Sequence, residues 1–295
     1  MTRVAAVDLG TNTTRLLVAD VDGDNVEEVV RRSTVTGLGE GVDARRRLLP
    51  VPITRVRNVL SDYRRELEQL GAERTLAVAT SAARDAENGE AFLGEIEWSY
   101  GFDTRLLTGD EEAELTRRGA GLTGAKALLL DVGGGSTELS TDAFRVSLDV
   151  GSIRLTERFF SADPPAPEEL DAADVYVTAR LPDLDVDEAI GVAGTVHQLA
   201  DLVQAETIPT AEVERWFGLL AGMPLAERRA VPRMSPARAP MIVAGLLIVR
   251  AVLRRYGVPA IAFSVRDILD GAALEAAALP ERPEGEAPPG AYTCC

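Results

Sequence analysis

Val7-Asp8-Leu9-Gly10-Thr11-Asn12-Thr13-Thr14-Arg15-Leu16 returns in register as Leu130-Asp131-Val132-Gly133-Gly134-Gly135-Ser136-Thr137-Glu138-Leu139. Asp8 falls on Asp131, Gly10 on Gly133, Thr13 on Ser136, Thr14 on Thr137 and Leu16 on Leu139. Each copy follows an apolar run, Val4 to Val7 and Ala127 to Leu130, that reads as a buried strand. Small and hydroxyl residues come next, then apolar positions again, so each copy reads as strand, tight turn, strand. Such a turn lets backbone N–H groups approach an anion without obstruction by Cβ. Two of them facing each other would grip one phosphate chain from both sides. An ordinary hairpin turn is the alternative for either copy alone, and repetition in register disfavours it.

Around the first loop the chain reads as one unit over 1–124. A charged hairpin return covers Val18 to Val30, and Ile53 to Leu70 has helical spacing ended by Gly71. Leu76 to Ala79 reads as a strand, Glu90 to Ser99 as a helix, Phe102 to Leu107 as a strand and Gly109 to Arg118 as a helix. A second unit over 125–279 begins with the repeated loop. Strands are expected at Val146 to Val150, Ala189 to Ala193 and Ala260 to Ser264. Helices are expected at Arg154 to Phe160, Glu168 to Arg180 and Pro240 to Tyr256. Residues 280–295, rich in Pro, Glu and Gly, read as a disordered tail. The fold class is α/β: two duplicated halves around a central cleft, with the ligand between them and closure by a hinge.

Composition narrows the function. The 295 residues carry a net charge of −16, which argues against broad nucleic-acid binding. It does not exclude a polyphosphate substrate, because binding follows local potential. Lys126 is the only lysine, so positive charge is nearly all arginine, suited to bidentate phosphate contacts, although codon bias explains it as well. No apolar run reaches the roughly 20 residues of a membrane span. The start leads directly into a strand, so a cytoplasmic protein without membrane partners is expected. Cys294 and Cys295, adjacent at the end, suit neither a core staple nor a metal site. No Walker-type phosphate loop occurs, and His197, the single histidine, reads as structural. The Ile242 to Val252 face reads as core or as dimer surface, which leaves a homodimer open.

The loops and the segments between them resemble the exopolyphosphatase / guanosine pentaphosphate phosphohydrolase (Ppx/GppA) family. The motifs that carry the resemblance are Leu38-Gly39-Glu40-Gly41, Ala79 to Asn88, Gly109-Asp110-Glu111-Glu112-Ala113, Asp131 to Glu138, Gly151 to Thr156, Gly191-Val192-Ala193-Gly194-Thr195 and Asp267-Ile268-Leu269-Asp270-Gly271. They follow the family's order up to about Leu279. The resemblance implies the actin-like ATPase (actin–sugar kinase–Hsp70, ribonuclease H-like) fold in its short two-domain form. Gly37 stands where the family often has arginine, and Leu269-Asp270 where Arg-Glu is common. Both departures are expected to reduce positive charge or side-chain reach near the cleft.

Phosphoanhydride hydrolysis needs a positioned water, charge neutralisation and in-line geometry. By resemblance Glu112 matches the family's catalytic glutamate, and a carboxylate there can accept a proton from water. Asp110, Glu111 and Glu114 are expected to act on it by like-charge repulsion; a solvated acidic helix start is the plain alternative. Asp131, Glu138 and Asp8 are the candidate ligands of Mg²⁺, with Mn²⁺ as a substitute, since hard carboxylate oxygens suit such cations. Turn capping is the alternative for Asp8 and Asp131. Gly10, Thr11, Asn12, Gly133, Gly134, Gly135, Ser136 and Thr137 are the candidate phosphate contacts, with Arg84 and Arg154 as clamps. Alternation leaves open whether Arg15 faces the cleft or the outer side. The leading expectation is Mg-dependent exopolyphosphatase action on inorganic polyphosphate. Hydrolysis of guanosine pentaphosphate (pppGpp) to the tetraphosphate is the close alternative. A non-catalytic sensor and a kinase of the same superfamily remain behind it.

Overall fold

The computed structural model describes residues 1–124 and 126–280. The chain forms two compact units, Met1–Ala120 with the returning segment from Arg266, and Gly121–Val265. The first contains β1 (Thr2–Leu9), β2 (Thr13–Asp22), β3 (Asn25–Val35), α1 (Val42–Arg45), α2 (Pro50–Leu70), β4 (Arg74–Ala79), α3 (Ser81–Arg84), α4 (Gly89–Tyr100), β5 (Asp103–Leu106) and α5 (Gly109–Ala120). The second contains β6 (Ala127–Val132), β7 (Thr137–Ser140), β8 (Arg145–Leu148), α6 (Ser152–Phe159), α7 (Pro167–Thr178), β9 (Glu188–Val192), α8 (Ala193–Val203), β10 (Thr207–Pro209), α9 (Thr210–Ala221), α10 (Leu225–Ala230), α11 (Ile242–Tyr256) and β11 (Ala260–Phe263). A last helix, α12 (Ile268–Ala278), returns to the first unit.

The sheet orders make the duplication explicit. The first sheet runs β3-β2-β1-β4-β5; the second, from its other edge, runs β8-β7-β6-β9-β11 with β10 added outside. In both, an antiparallel three-strand meander is followed by parallel strands beside its first strand. The central strand β1 is apolar throughout because both of its faces are covered. Ala5, Val7 and Leu9 pack with residues of α2 and α4, whereas Val4 and Ala6 pack with α12 and Leu115. Successive side chains thus serve opposite cores.

The sequence boundaries at 124 and 279 differ from this division. The second unit starts at Gly121, and α12, expected in the second half, closes the free face of the first sheet. The contact between α5 and α12 is close enough that a Cβ on Gly119 or Gly271 would overlap the other helix's backbone. Leu269 is fully buried there, so it does not line a ligand site as its alignment with arginine suggested. The α11 face is settled as core: Ile242 to Val249 and Ala251 to Leu253 are buried in the second unit. The proposed tail, apart from Pro280, lies outside the described residues. Among the described residues no helix is long and apolar enough to cross a membrane.

Candidate functional site

In the second unit, Gly133 N donates to Ser136 O at 3.0 Å and closes the turn between β6 and β7. The first turn of α6 docks on the carbonyl side of this loop. Ser152 donates to Gly133 O through its N (2.9 Å) and its Oγ (3.1 Å). Ile153 N and Arg154 N donate to Gly134 O at 2.8 and 3.1 Å, and Arg154 Nε donates to Gly135 O at 2.6 Å. Among the described residues the amides of Gly134 and Gly135 donate to no other backbone group. With the carbonyls engaged on one side, these amides form an edge suited to an anion. The approach requires glycine at 151, whose Cβ would overlap the backbone of Gly134 and Gly135.

Asp131 and Glu138 sit directly opposite each other across β6 and β7. Opposed residues of an antiparallel pair share a face, so both carboxylates lie on one side of the sheet, 7% and 3% exposed. Ser147 Oγ on β8 donates to Glu138 Oε1 at 2.7 Å. Thr137 is turned elsewhere: it is fully buried and its hydroxyl donates to Val150 O, so its side chain does not serve as the expected phosphate contact.

The first loop repeats the second bond for bond at its neck, with Gly10 N donating to Thr13 O at 3.0 Å. Its carbonyl side is engaged by the Thr36–Gly39 segment rather than by a helix. Thr36 N and Gly37 N donate to Asn12 O at 3.0 and 2.9 Å, and Gly39 N donates to Thr11 O at 2.8 Å. The Gly37 departure therefore has a backbone role, at φ 61°. Among the described residues the amides of Thr11 and Asn12 donate to no other backbone group, and Asn12 Nδ2 is buried without a hydrogen-bond partner. Thr14, the counterpart of Thr137, is likewise turned inward, its hydroxyl 2.9 Å from that of Thr36.

The two aspartates are not equivalent. Where Asp131 faces Glu138, Asp8 faces Arg15. Arg15 Nε donates to Asp8 Oδ2 at 2.8 Å, and Nη2 lies 2.7 Å from the same oxygen. Arg15 also donates to Asp267, the cap of α12. Burial pushes the Asp8 carboxyl up against the pull of Arg15. A guanidinium occupies the place of the second carboxylate and engages only Oδ2, while Asp8 Oδ1 is buried without a hydrogen-bond partner, the one oxygen left for the cation-ligand role expected from the repeat.

Glu112 is presented by a cap that the sequence spells as Thr108-Gly109-Asp110-Glu111. Thr108 Oγ1 accepts from Glu111 N at 3.3 Å, and Glu111 Oε2 accepts from Thr108 N at 2.8 Å. This is a capping box. Glu111 Oε1 accepts from Arg105 Nη2 at 2.7 Å. The Thr108 backbone hydrogen bond, with Arg105 and the Thr108 hydroxyl, holds Glu111 down to about 2. With Glu111 committed to the cap, the next residue turns inward, and Glu112 is 7% exposed. Arg84 Nη1, at the end of α3, donates to Glu112 Oε2 at 3.0 Å and to Leu107 O at 2.8 Å. Glu112 is thus buried against a cation, unlike the expected cluster of repelling carboxylates or a solvated helix start.

In the first unit, then, the structure joins Arg84 to Glu112 and fixes the loop at Gly10, Thr11 and Asn12. In the second it joins Arg154, Ser136 and Gly133 to Gly135, with Asp131 beside Glu138. Sequence reading missed Ser152, Thr108 and the Thr36–Gly39 brace. Only Thr108 had a local signal, the Thr-x-x-Glu spacing. His197 stacks on Phe263 with ring centroids 5.0 Å apart, consistent with its structural reading.

A model of the Ppx/GppA phosphatase family matches residues 17–274. Exopolyphosphatase 2 of Mycobacterium tuberculosis is 37% identical, over 94% of this chain and 99% of its own length. Exopolyphosphatase 1 of Mycobacterium bovis is 27% identical over 88% and 83%. Among solved structures, an exopolyphosphatase-like protein is 30% identical with a TM-score of 0.87, covering 93% of this chain and 97% of that one. The Aquifex aeolicus Ppx/GppA family member is 27% identical with a TM-score of 0.78 at the same coverage. The family match takes in the second glycine loop and most of both sheets, and the chain belongs to the Ppx/GppA phosphatase family.

Proposed function

We propose that this protein is an exopolyphosphatase that removes terminal phosphate from inorganic polyphosphate, with Glu112 as general base. The observation that carries the reading is a buried carboxylate oriented by Arg84, in a chain whose relatives include proteins named exopolyphosphatase. Those names favour polyphosphate over guanosine pentaphosphate. Glu112 would take a proton from the attacking water. Arg84 would hold the Glu112 carboxylate in place. Within the first unit the amide edge of Thr11 and Asn12 would suit phosphate oxygens, with Asn12 Nδ2 having the unmet donor capacity to join it, and within the second the edge of Gly134 and Gly135 would do the same.

Mg²⁺, with Mn²⁺ as substitute, fits the second unit. Asp131 and Glu138 are two buried hard-oxygen donors on one sheet face. Among the described residues no group of three or more His, Cys, Asp or Glu gathers into a cage. A cation that keeps waters and takes substrate oxygens suits such a pair. When bound, it would neutralise charge on the phosphates. A cytoplasmic location accompanies this reading.

The test is phosphate release from polyphosphate with Mg²⁺, comparing wild type with Glu112→Gln. Loss of the base is expected to lower kcat by about 10²–10⁴-fold in a protein that remains folded. Full activity of the variant would remove Glu112 from the mechanism. Release from guanosine pentaphosphate alone would overturn the polyphosphate assignment.

A further inference from the structure

Resting on the polyphosphate reading, we propose that Arg45, Arg46 and Arg47 form a distal anion subsite for the far phosphates of a long polyphosphate chain. The three arginines are consecutive and all exposed. Arg45 and Arg47 have no ion-pair partner among the described residues, and Arg46 has only a long contact, 3.8 Å from Asp85. In a protein of net charge −16, a polyanion needs a local positive field to approach at all.

Position distinguishes this triplet from scattered surface charge. The segment leading into it is hydrogen-bonded to the first loop, Gly39 N to Thr11 O at 2.8 Å. The segment leaving it is held by Asn88, whose Oδ1 accepts from Leu48 N at 2.8 Å and whose Nδ2 donates to Leu48 O at 3.1 Å. Glu87 N donates to Arg46 O at 2.9 Å. Asn88 and Glu87 close the stretch that carries Arg84, the partner of Glu112. The triplet is therefore pinned, within one unit, between the brace of the phosphate loop and the segment that orients the proposed base. Arg46 takes φ 51° where it ends α1. Guanidinium groups suit this work because they are weakly hydrated and bind phosphate oxygens in pairs. A short substrate that ends at the loops would not use them, whereas a long chain would.

The experiment compares wild type with the double variant Arg45→Gln/Arg47→Gln on long-chain polyphosphate and on tripolyphosphate. Arg46 is retained for its backbone conformation. The ratio of KM values, long chain over tripolyphosphate, is expected to rise about fivefold for two exposed charge contacts. The slope of log KM against log salt for the long chain should flatten by roughly 0.7 per lost phosphate contact. Arg215→Gln/Arg229→Gln removes the same charge from exposed helical sites of the second unit and should leave the ratio in place. An unchanged ratio in the Arg45/Arg47 variant, or the same rise in the control, overturns the subsite. If wild type releases no phosphate from any polyphosphate, the functional reading fails separately, and calorimetric binding of long-chain polyphosphate decides. Weaker binding by the variant then supports the subsite, and equal or absent binding overturns it.

Discussion

Two arginine–carboxylate contacts hold the buried acidic groups of the first unit at the scale of single residues. Arg84 joins Glu112 to the carbonyl of Leu107, so the proposed base is held by a side chain that itself has two anchors. Arg84→Ala should therefore lower kcat by roughly ten- to hundredfold through misorientation, with a smaller change in KM. Steady-state kinetics would show it, and a pure KM effect would instead make Arg84 a substrate clamp. Arg15 links Asp8 to Asp267, while Arg31 Nη2 donates to Asp270 at 3.0 Å. Arg15→Met leaves two buried carboxylates facing each other. Breaking such a pair costs about 3–5 kcal/mol, readable as a lowered urea midpoint, and a shift below about 1 kcal/mol would refute the account. Neither contact was legible in the sequence. Arg84 and Glu112 are 28 residues apart, and Arg15 could have faced either way until the β1–β2 register placed it against Asp8.

At the scale of elements, the strand–turn–strand repeat was legible because composition and period change together at each loop. α2 also lies almost where its apolar stripe puts it, ending at Gly71 with φ 68°. β10, with three residues, is too short to show a period, and α9 and α10 follow it without a strong start signal. The cap of α5 yields a pH prediction. Glu111 titrates at about 2 when folded, against an ordinary value of 4.5. A carboxyl with a depressed folded pKa binds fewer protons in the folded state than in the unfolded one. Its stabilisation is full above about 4.5 and is lost as pH falls towards about 2. Urea midpoints measured across that window should fall more steeply for wild type than for Glu111→Gln, which keeps the cap but not the titration. The side chain is 41% exposed, so solvent screening keeps the difference modest. Parallel curves would show that the cap makes no pH-dependent contribution.

For the whole molecule, the duplicated topology was readable from two short motifs, but the path of the chain was not. Periodicity tells which residues of α12 are buried, without saying which of two similar sheets they cover. α12 supplies Leu269, Ala272, Ala273 and Ala276 to the core that also holds Val4, Ala6, Leu17 and Val78. Without it, those strand residues and Leu115 would face water, and the capping aspartates Asp267 and Asp270 would no longer meet Arg15 and Arg31. Two fragments test this. Residues 121–265 contain a complete sheet and its own core, so they should unfold cooperatively as an isolated domain. Residues 1–120 lack the helix that covers one face, and should show exposed apolar surface by dye binding and no sharp thermal transition. Joining residues 266–280 to the N-terminus of that fragment through a flexible linker should restore the transition. Cooperative unfolding of 1–120 by itself would mean that α12 merely decorates a sheet already stable without it.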